Sequence, residues 1–374
     1  MTRKLATIQK IVSLDPIPDA DKIEKATVLG WECVVAKKDQ FQVGDLVIYI
    51  EVDSIVPDKP EYEFLRSKKF RVRTIRLRKQ ISQGLVLPLT TLPKKNWKEG
   101  DDVTEVIGVK KYDPQGDKER RIAEQKAQLT NSRIKKFLLQ YPWYRRLFVK
   151  PKRLWPKFIK KTDEDRIQLF PHICENEKDT IFQVTEKLDG QSGTYFVIRQ
   201  PKKKFLGISF GEELVFGVCS RKLWLKKEDD SSWWTVAKQF DIENILKSLI
   251  LPEHKFIVLQ GEIVGTGKNG GNVQDNKYGL KKYDFYAFNL FNDKESFDNF
   301  SMNSYLHQHS IKCVPFLESP FYLLPTIPEM VEYATGKSTI ANIKREGIVV
   351  RNYEKNISFK VINPEFLMKY EEKE

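Results

Sequence analysis

The chain has 374 residues, 40% hydrophobic and 31% charged, an ordinary globular composition with room for two domains. Its net charge of +13 is not ordinary; it points to an anionic partner, nucleic acid first, with solubility alone as the bland alternative. Cys33, Cys174, Cys219 and Cys313 form no C-x-x-C pair, which argues against a zinc ribbon or a disulfide framework and fits a reducing compartment.

His307, His309 and Cys313 lack a nearby fourth ligand, so chemistry must run on lysine, carboxylates and arginine. Residues Met1 to Leu14 hold no long apolar run, and no stretch approaches the roughly 18 apolar residues of a membrane span. A cytoplasmic protein without membrane contact is the expectation.

Residues 1–105 read as all-β. Short runs (Lys4 to Ile11, Ala26 to Leu29, Glu32 to Ala36, Leu46 to Glu51, Phe70 to Leu77, Gly84 to Leu87) alternate with turn signals such as Val43-Gly44-Asp45, the pattern of a small OB-like barrel. In Phe70 to Lys79 the residues Arg71, Arg73, Arg76 and Arg78 recur near period two, which predicts one basic strand face for nucleic acid. A solvated edge strand that uses charge to block aggregation is the other reading.

Residues 106–160 read as a linker, partly helical over Ile134 to Leu139. From Arg133 to Lys161 there are eleven Lys or Arg, no Asp or Glu, and seven aromatics, Trp143, Tyr144 and Trp155 among them. That mixture suits phosphate pairing with base stacking, or an apolar face docked between domains with solvated lysines. The insert Pro201-Lys202-Lys203-Lys204 reads as a surface turn.

Residues 161–374 are mixed α/β, giving an α+β chain. Strands such as Phe182 to Thr185 and Phe256 to Leu259 flank a helical stretch, Trp234 to Ile250. Lys187-Leu188-Asp189-Gly190 directly follows a strand. Ser220-Arg221 follows the run Leu214 to Cys219, Gln260-Gly261-Glu262 ends another, and Tyr283 to Phe288 is an aromatic strand. Arg345 to Val350 and Ser358 to Ile362 form a hairpin about Glu354-Lys355-Asn356.

If the site transfers nucleotides, each residue type has a task. An amine attacks phosphorus only when neutral, so a lysine that titrates near about 10.4 must drop by roughly three units, about 4 kcal/mol. A neighbouring cation does this. Glu262 and Glu346 would hold a hydrated metal. Arginine and Lys360 would offset charge on the α-phosphate, and Phe288 offers a face to adenine.

These segments resemble the motifs of the covalent nucleotidyltransferases: DNA ligases, RNA ligases and capping enzymes. Only fourteen residues follow Lys360, too few for the trailing OB domain of DNA ligases and capping enzymes. The segments Asp19 to Glu24, Val43 to Tyr49 and Ile81 to Leu85 instead resemble the leading OB domain of the fifth RNA ligase family. The resemblance implies an OB-like barrel followed by an ATP-grasp-like ligase domain, using ATP with Mg²⁺ or Mn²⁺. It implies a monomer that seals 3′-OH/5′-phosphate breaks in nicked or broken RNA, including RNA/DNA duplexes, with RNA on the 3′-OH side.

By the same resemblance Lys187 forms lysyl-AMP, while Glu186 and Phe288 bind adenine. Arg166 contacts the nucleotide, and Arg221 handles ribose or the end phosphate. Glu262 serves the ribose and metal, Glu346 the metal, and Lys360 the α-phosphate. Gln274 to Tyr278 matches a loop that Gly267 to Gly271 lengthens here. Two departures stand out: Ser358 replaces the first lysine of a K-x-K motif, and Asn289 replaces an aspartate after the stacking aromatic. A capping-type guanylyltransferase and a non-catalytic RNA-binding OB protein are the competing readings.

Overall fold

In a computed structural model of the chain, the described residues are 4–112, 155–202, 211–225, 231–267 and 271–371. They divide between two compact units, Met1–Lys152 and Arg153–Glu374.

The strands of the first unit are β1 (Ala6–Pro16), β2 (Ile23–Val28), β3 (Trp31–Ala36), β4 (Leu46–Ile50), β5 (Ser54–Ile55), β6 (Arg71–Val72), β7 (Thr74–Leu77), β8 (Gln80–Gln83), β9 (Leu85–Pro88) and β10 (Lys110–Lys111). β1 pairs with β4 through Ala6 to Lys10 and with β2 through Ile11 to Pro16, with a register shift at the crossing. A bulge there bends the strand and increases its twist, so one long strand belongs to both halves of a coiled barrel. Alternate residues of these strands face inward (Ala6 and Ile8; Trp31, Cys33 and Val35), filling two buried clusters. β8 is held beside β3 by side chains: the Val34 N–H donates to Ser82 Oγ at 2.9 Å and the Cys33 thiol to the Gln83 carbonyl at 3.4 Å. This is the expected OB-like form.

Two expectations for this unit need correction. Residue 105 is not its edge, because the helix Thr104–Ile107 contributes Ile107 to the core and β10 pairs with β5. Phe70 to Leu77 is also not one strand with a basic face. β6 pairs with β5, while among the described residues β7 pairs only with β8, so the chain changes sheets at Arg73. Arg71 is buried, its guanidinium 2.8 Å from Asp53 and stacked 3.7 Å from the centre of the Tyr112 ring. Arg76 and Arg78 are exposed, with Arg73 half-buried between.

The second unit contains β11 (Phe182–Lys187), β12 (Gln191–Pro201), β13 (Glu212–Cys219), β14 (Phe256–Val264), β15 (Asp284–Asn292), β16 (Lys312–Cys313), β17 (Phe316–Phe321), β18 (Gly347–Asn352) and β19 (Ile357–Ile362). They form one sheet in the order β13–β12–β14–β15–β16 and another in the order β17–β11–β18–β19. The helices Ser232–Gln239, Ile242–Leu249 and Asn299–His307 cover the first sheet, and Ile327–Ala334 covers the second. The stretch Trp234 to Ile250 is therefore two helices, broken where Asp241 adopts φ 49°.

The second unit also begins before the expected residue 161. Trp155, Phe158 and Ile159 pack with Phe196, Val258 and Phe291, the Phe158 and Phe196 rings lying edge to face at 5.5 Å. These linker aromatics fill an apolar core within the second unit itself. Residues 113–154, which hold Ile134 to Leu139, Trp143 and Tyr144, lie outside the described residues, as do Lys203 and Lys204 of the insert. No helix among the described residues is long and apolar enough to cross a membrane.

Candidate active site

β11 belongs to one sheet and β12 to the other, so Leu188-Asp189-Gly190 is the passage between sheets. Lys187 is the last residue of β11 and pairs with Gly347, the first of β18. Glu346 therefore stands one residue beyond the ladder, where its Oε2 accepts from Lys187 Nζ at 2.7 Å. On the far side, Gly190 donates its N–H to Glu262 Oε1 at 3.1 Å. Only glycine fits there: a Cβ would lie 2.4 Å from the Ile263 carbonyl and 2.8 Å from Glu262 Cγ. The lysine, Glu262 and Glu346 thus meet although 159 residues separate the nucleophile candidate from its partner.

Burial alone would lower the pKa of Lys187, but Glu346, Glu262 and Asp189 outweigh it and leave it above the ordinary lysine value. That is opposite in direction to what attack on phosphorus requires. Burial, opposed by Lys187 and reinforced by Glu346 and Asp189, pushes Glu262 up to about 8. Burial and the Asp189 charge likewise raise Glu346, against the pull of Lys187 and Lys360. Crowded carboxylates with raised pKa are a donor set that a divalent cation relieves, and their hard oxygens suit Mg²⁺ or Mn²⁺. No group of three or more His, Cys, Asp or Glu close enough to ligate a metal directly occurs among the described residues. Two carboxylates fit an ion that keeps most of its waters.

Glu186 is 1% exposed. Thr339 donates to its Oε2 from the backbone at 2.9 Å and from the hydroxyl at 2.8 Å, while Oε1 is buried with no hydrogen-bond partner among the described residues. A buried acceptor left open fits a donor from a bound molecule. Phe288 sits at a bulge: Gln260 pairs with Asn289 but Gly261 pairs with Ala287, so Phe288 is skipped. Bulges re-aim side chains in this way. Phe288 packs at a small apolar cluster that includes Leu188, Val264 and Ile340, and its carbonyl accepts from Arg351 Nη1 at 2.8 Å. Asn289 donates to Gln260 Oε1 at 2.9 Å, a neutral amide pair.

Arg166 is 6% exposed and bridges in parallel to Lys360, whose N–H donates to the Asp165 carbonyl at 2.8 Å. Arg221 is exposed and pairs with Asp163 at 2.6 Å. Sequence reasoning missed Thr339 and Arg351, and it singled out the loop of Lys277 without giving that lysine a role; Lys277 pairs with Asp189. Arg351 shows no signal as a residue type, yet it is buried and holds Glu164, Ser358 and the Phe288 carbonyl together.

A family model described as RNA ligase matches residues 180–370, and one described as an OB-fold domain matches residues 5–89. The chain is similar over its length to an RNA ligase of Naegleria gruberi. The structure of that ligase with pyrophosphate shares 31% identity, covers 99% of this chain and 100% of that one, and gives a TM-score of 0.76. A variant of it with AMP and manganese gives 30%, 98%, 99% and 0.75. Another variant, with ATP and manganese, gives 31%, 99%, 98% and 0.74. No curated protein matches the chain. On the fold, the paired Lys187 and Glu346, and these matches, the chain belongs to the RNA ligase family.

Proposed function

We propose that the chain is an ATP-dependent RNA ligase that seals 3′-OH/5′-phosphate breaks, and that Lys187 carries the adenylate. The observation that supports this most is the convergence of Glu346 on Lys187 at 2.7 Å with Glu262 held behind Gly190, in a chain of this family. Lys187 Nζ gives up a proton to solvent water and attacks the α-phosphorus of ATP; the N–P bond forms as the bond to pyrophosphate breaks. AMP then passes to a 5′-phosphate, and a 3′-OH displaces it to close the strand. When bound, a hydrated Mg²⁺ or Mn²⁺ held by Glu262 and Glu346 supplies positive charge that weakens the lysine's hold on its proton and offsets charge on the α-phosphate.

The chain's own residues do the rest. Glu186 Oε1 accepts from the adenine amino group, with Thr339 fixing the carboxylate. Phe288 stacks on the base, held by Arg351. Arg166 and Lys360 face the nucleotide phosphate, and Arg221 exchanges Asp163 for the ribose or end phosphate. In the barrel, exposed Arg76 and Arg78, with Arg73, meet the phosphate backbone, whereas Arg71 serves the fold. The substrate is nicked or broken RNA with RNA on the 3′-OH side, taken by a monomer. The four unpaired cysteines fit a cytoplasmic setting.

Sealing of nicked duplexes with RNA or DNA on either side, with ATP and magnesium, tests this. The reading predicts sealing when the 3′-OH strand is RNA. Failure to seal any nick, or use of GTP in place of ATP, overturns it.

A further inference from the structure

The loop after β14 is built under strain. Gln274, Asp275 and Asn276 adopt φ of 43°, 57° and 49°, and none is glycine, so each carries the steric cost of a Cβ in the left-handed region. Such runs persist only where their surroundings hold them, and they cluster at functional sites. Here Asn276 does the holding: its Nδ2 donates to Thr266 Oγ1 at 2.8 Å and to the Leu280 carbonyl at 2.9 Å, and its Oδ1 accepts the Leu280 N–H at 3.0 Å.

The turn delivers two successive side chains to one residue. Tyr278 Oη accepts the Asp189 N–H at 2.8 Å, and Lys277 Nζ pairs with the Asp189 carboxylate. The ion pair is enclosed, its side chains 14% and 18% exposed. Lys277 also lies 5.2 Å from the Phe366 ring centre and 4.9 Å from that of Tyr370, on the helix Pro364–Glu371, a cation–π setting that further restrains it. Asp189 is two residues past Lys187, and its charge acts on Lys187, Glu262 and Glu346 alike. Unpaired, its carboxylate would compete with Glu346 for the Lys187 ammonium.

We propose that Lys277 is a positioning residue for adenylation: with Tyr278 it fixes Asp189, so that Lys187 leaves its strand on one line and faces Glu346. The inference rests on Lys187 being the adenylated residue. It assigns Lys277 no contact with substrate.

The test is the rate of lysyl-AMP formation against ATP concentration, with magnesium, in the full chain below its melting onset. Lys277→Met keeps an unbranched apolar stem between the rings and lacks the charge. The limiting rate falls about 10–100-fold, as for other residues that orient a reacting group through a partner. ATP half-saturation stays within about threefold, because the loss lies in the chemical step. Lys277→Arg recovers most of the rate; Lys277→Gln replaces the methionine variant if that one does not fold. A Lys277→Met limiting rate within about twofold of wild type, or an arginine variant as slow as the methionine one, overturns the inference alone. A wild-type chain that forms no adduct overturns the adenylation reading with it.

Discussion

Glu346 Oε2 lies 2.7 Å from Lys187 Nζ beside the Lys187–Gly347 pair that ends the β11–β18 ladder, so the candidate nucleophile and its counterion, 159 residues apart in the chain, meet where two neighbouring strands end. Two roles for Glu346 give opposite predictions. A mere counterion holds the lysine proton, and Glu346→Gln would then leave adduct formation unchanged or faster. As a holder of the hydrated cation, its loss slows adduct formation by about 100-fold or more. Rapid-quench measurement of adduct formation distinguishes them, and the second outcome is expected.

Gly190→Ala should fail twice. The added Cβ meets the Ile263 carbonyl at 2.4 Å and Glu262 Cγ at 2.8 Å, an overpacking that costs about 1–3 kcal/mol. Thermal melting should show that loss. Adduct formation should fall further than the stability change explains, because Glu262 is displaced.

Arg351 ties Glu164, Ser358 and the Phe288 carbonyl together while 7% exposed. Arg351→Met leaves a carbonyl and a carboxylate short of a donor, at a cost of about 2–3 kcal/mol. Denaturant unfolding checks the cost, and nucleotide titration should show weaker ATP binding as Phe288 loses its anchor.

In the barrel the arginines should separate by role. Arg71→Ala lowers the melting temperature, since its guanidinium pairs with Asp53 and stacks on Tyr112. Arg76→Ala and Arg78→Ala leave melting unchanged and weaken RNA binding, each reducing the slope of log affinity against log salt by about 1. Equal melting losses in all three would contradict the division.

Much of the site was legible because its residues stand at strand ends. A β-run followed by Lys187-Leu188-Asp189-Gly190 places a lysine at a strand end whatever the tertiary details. The pairs that run across the fold were not legible. Lys277 reaches Asp189 only because three residues without a glycine signal turn left-handed. Arg71 looked like its basic neighbours because period-two spacing does not reveal a change of sheet at Arg73. Asp241, an αL residue that is not glycine, hid the break between two helices. The boundary at 105 was misplaced because a four-residue helix and a two-residue strand carry too little pattern to read.

The central claim is that Lys187 is the adenylated nucleophile. Incubation of the full chain with labelled ATP and magnesium, followed by denaturing gel and intact mass, tests it most directly. The account predicts one AMP joined covalently to wild type and none to Lys187→Ala. A wild type without adduct, or a Lys187→Ala chain that keeps it, would contradict the account.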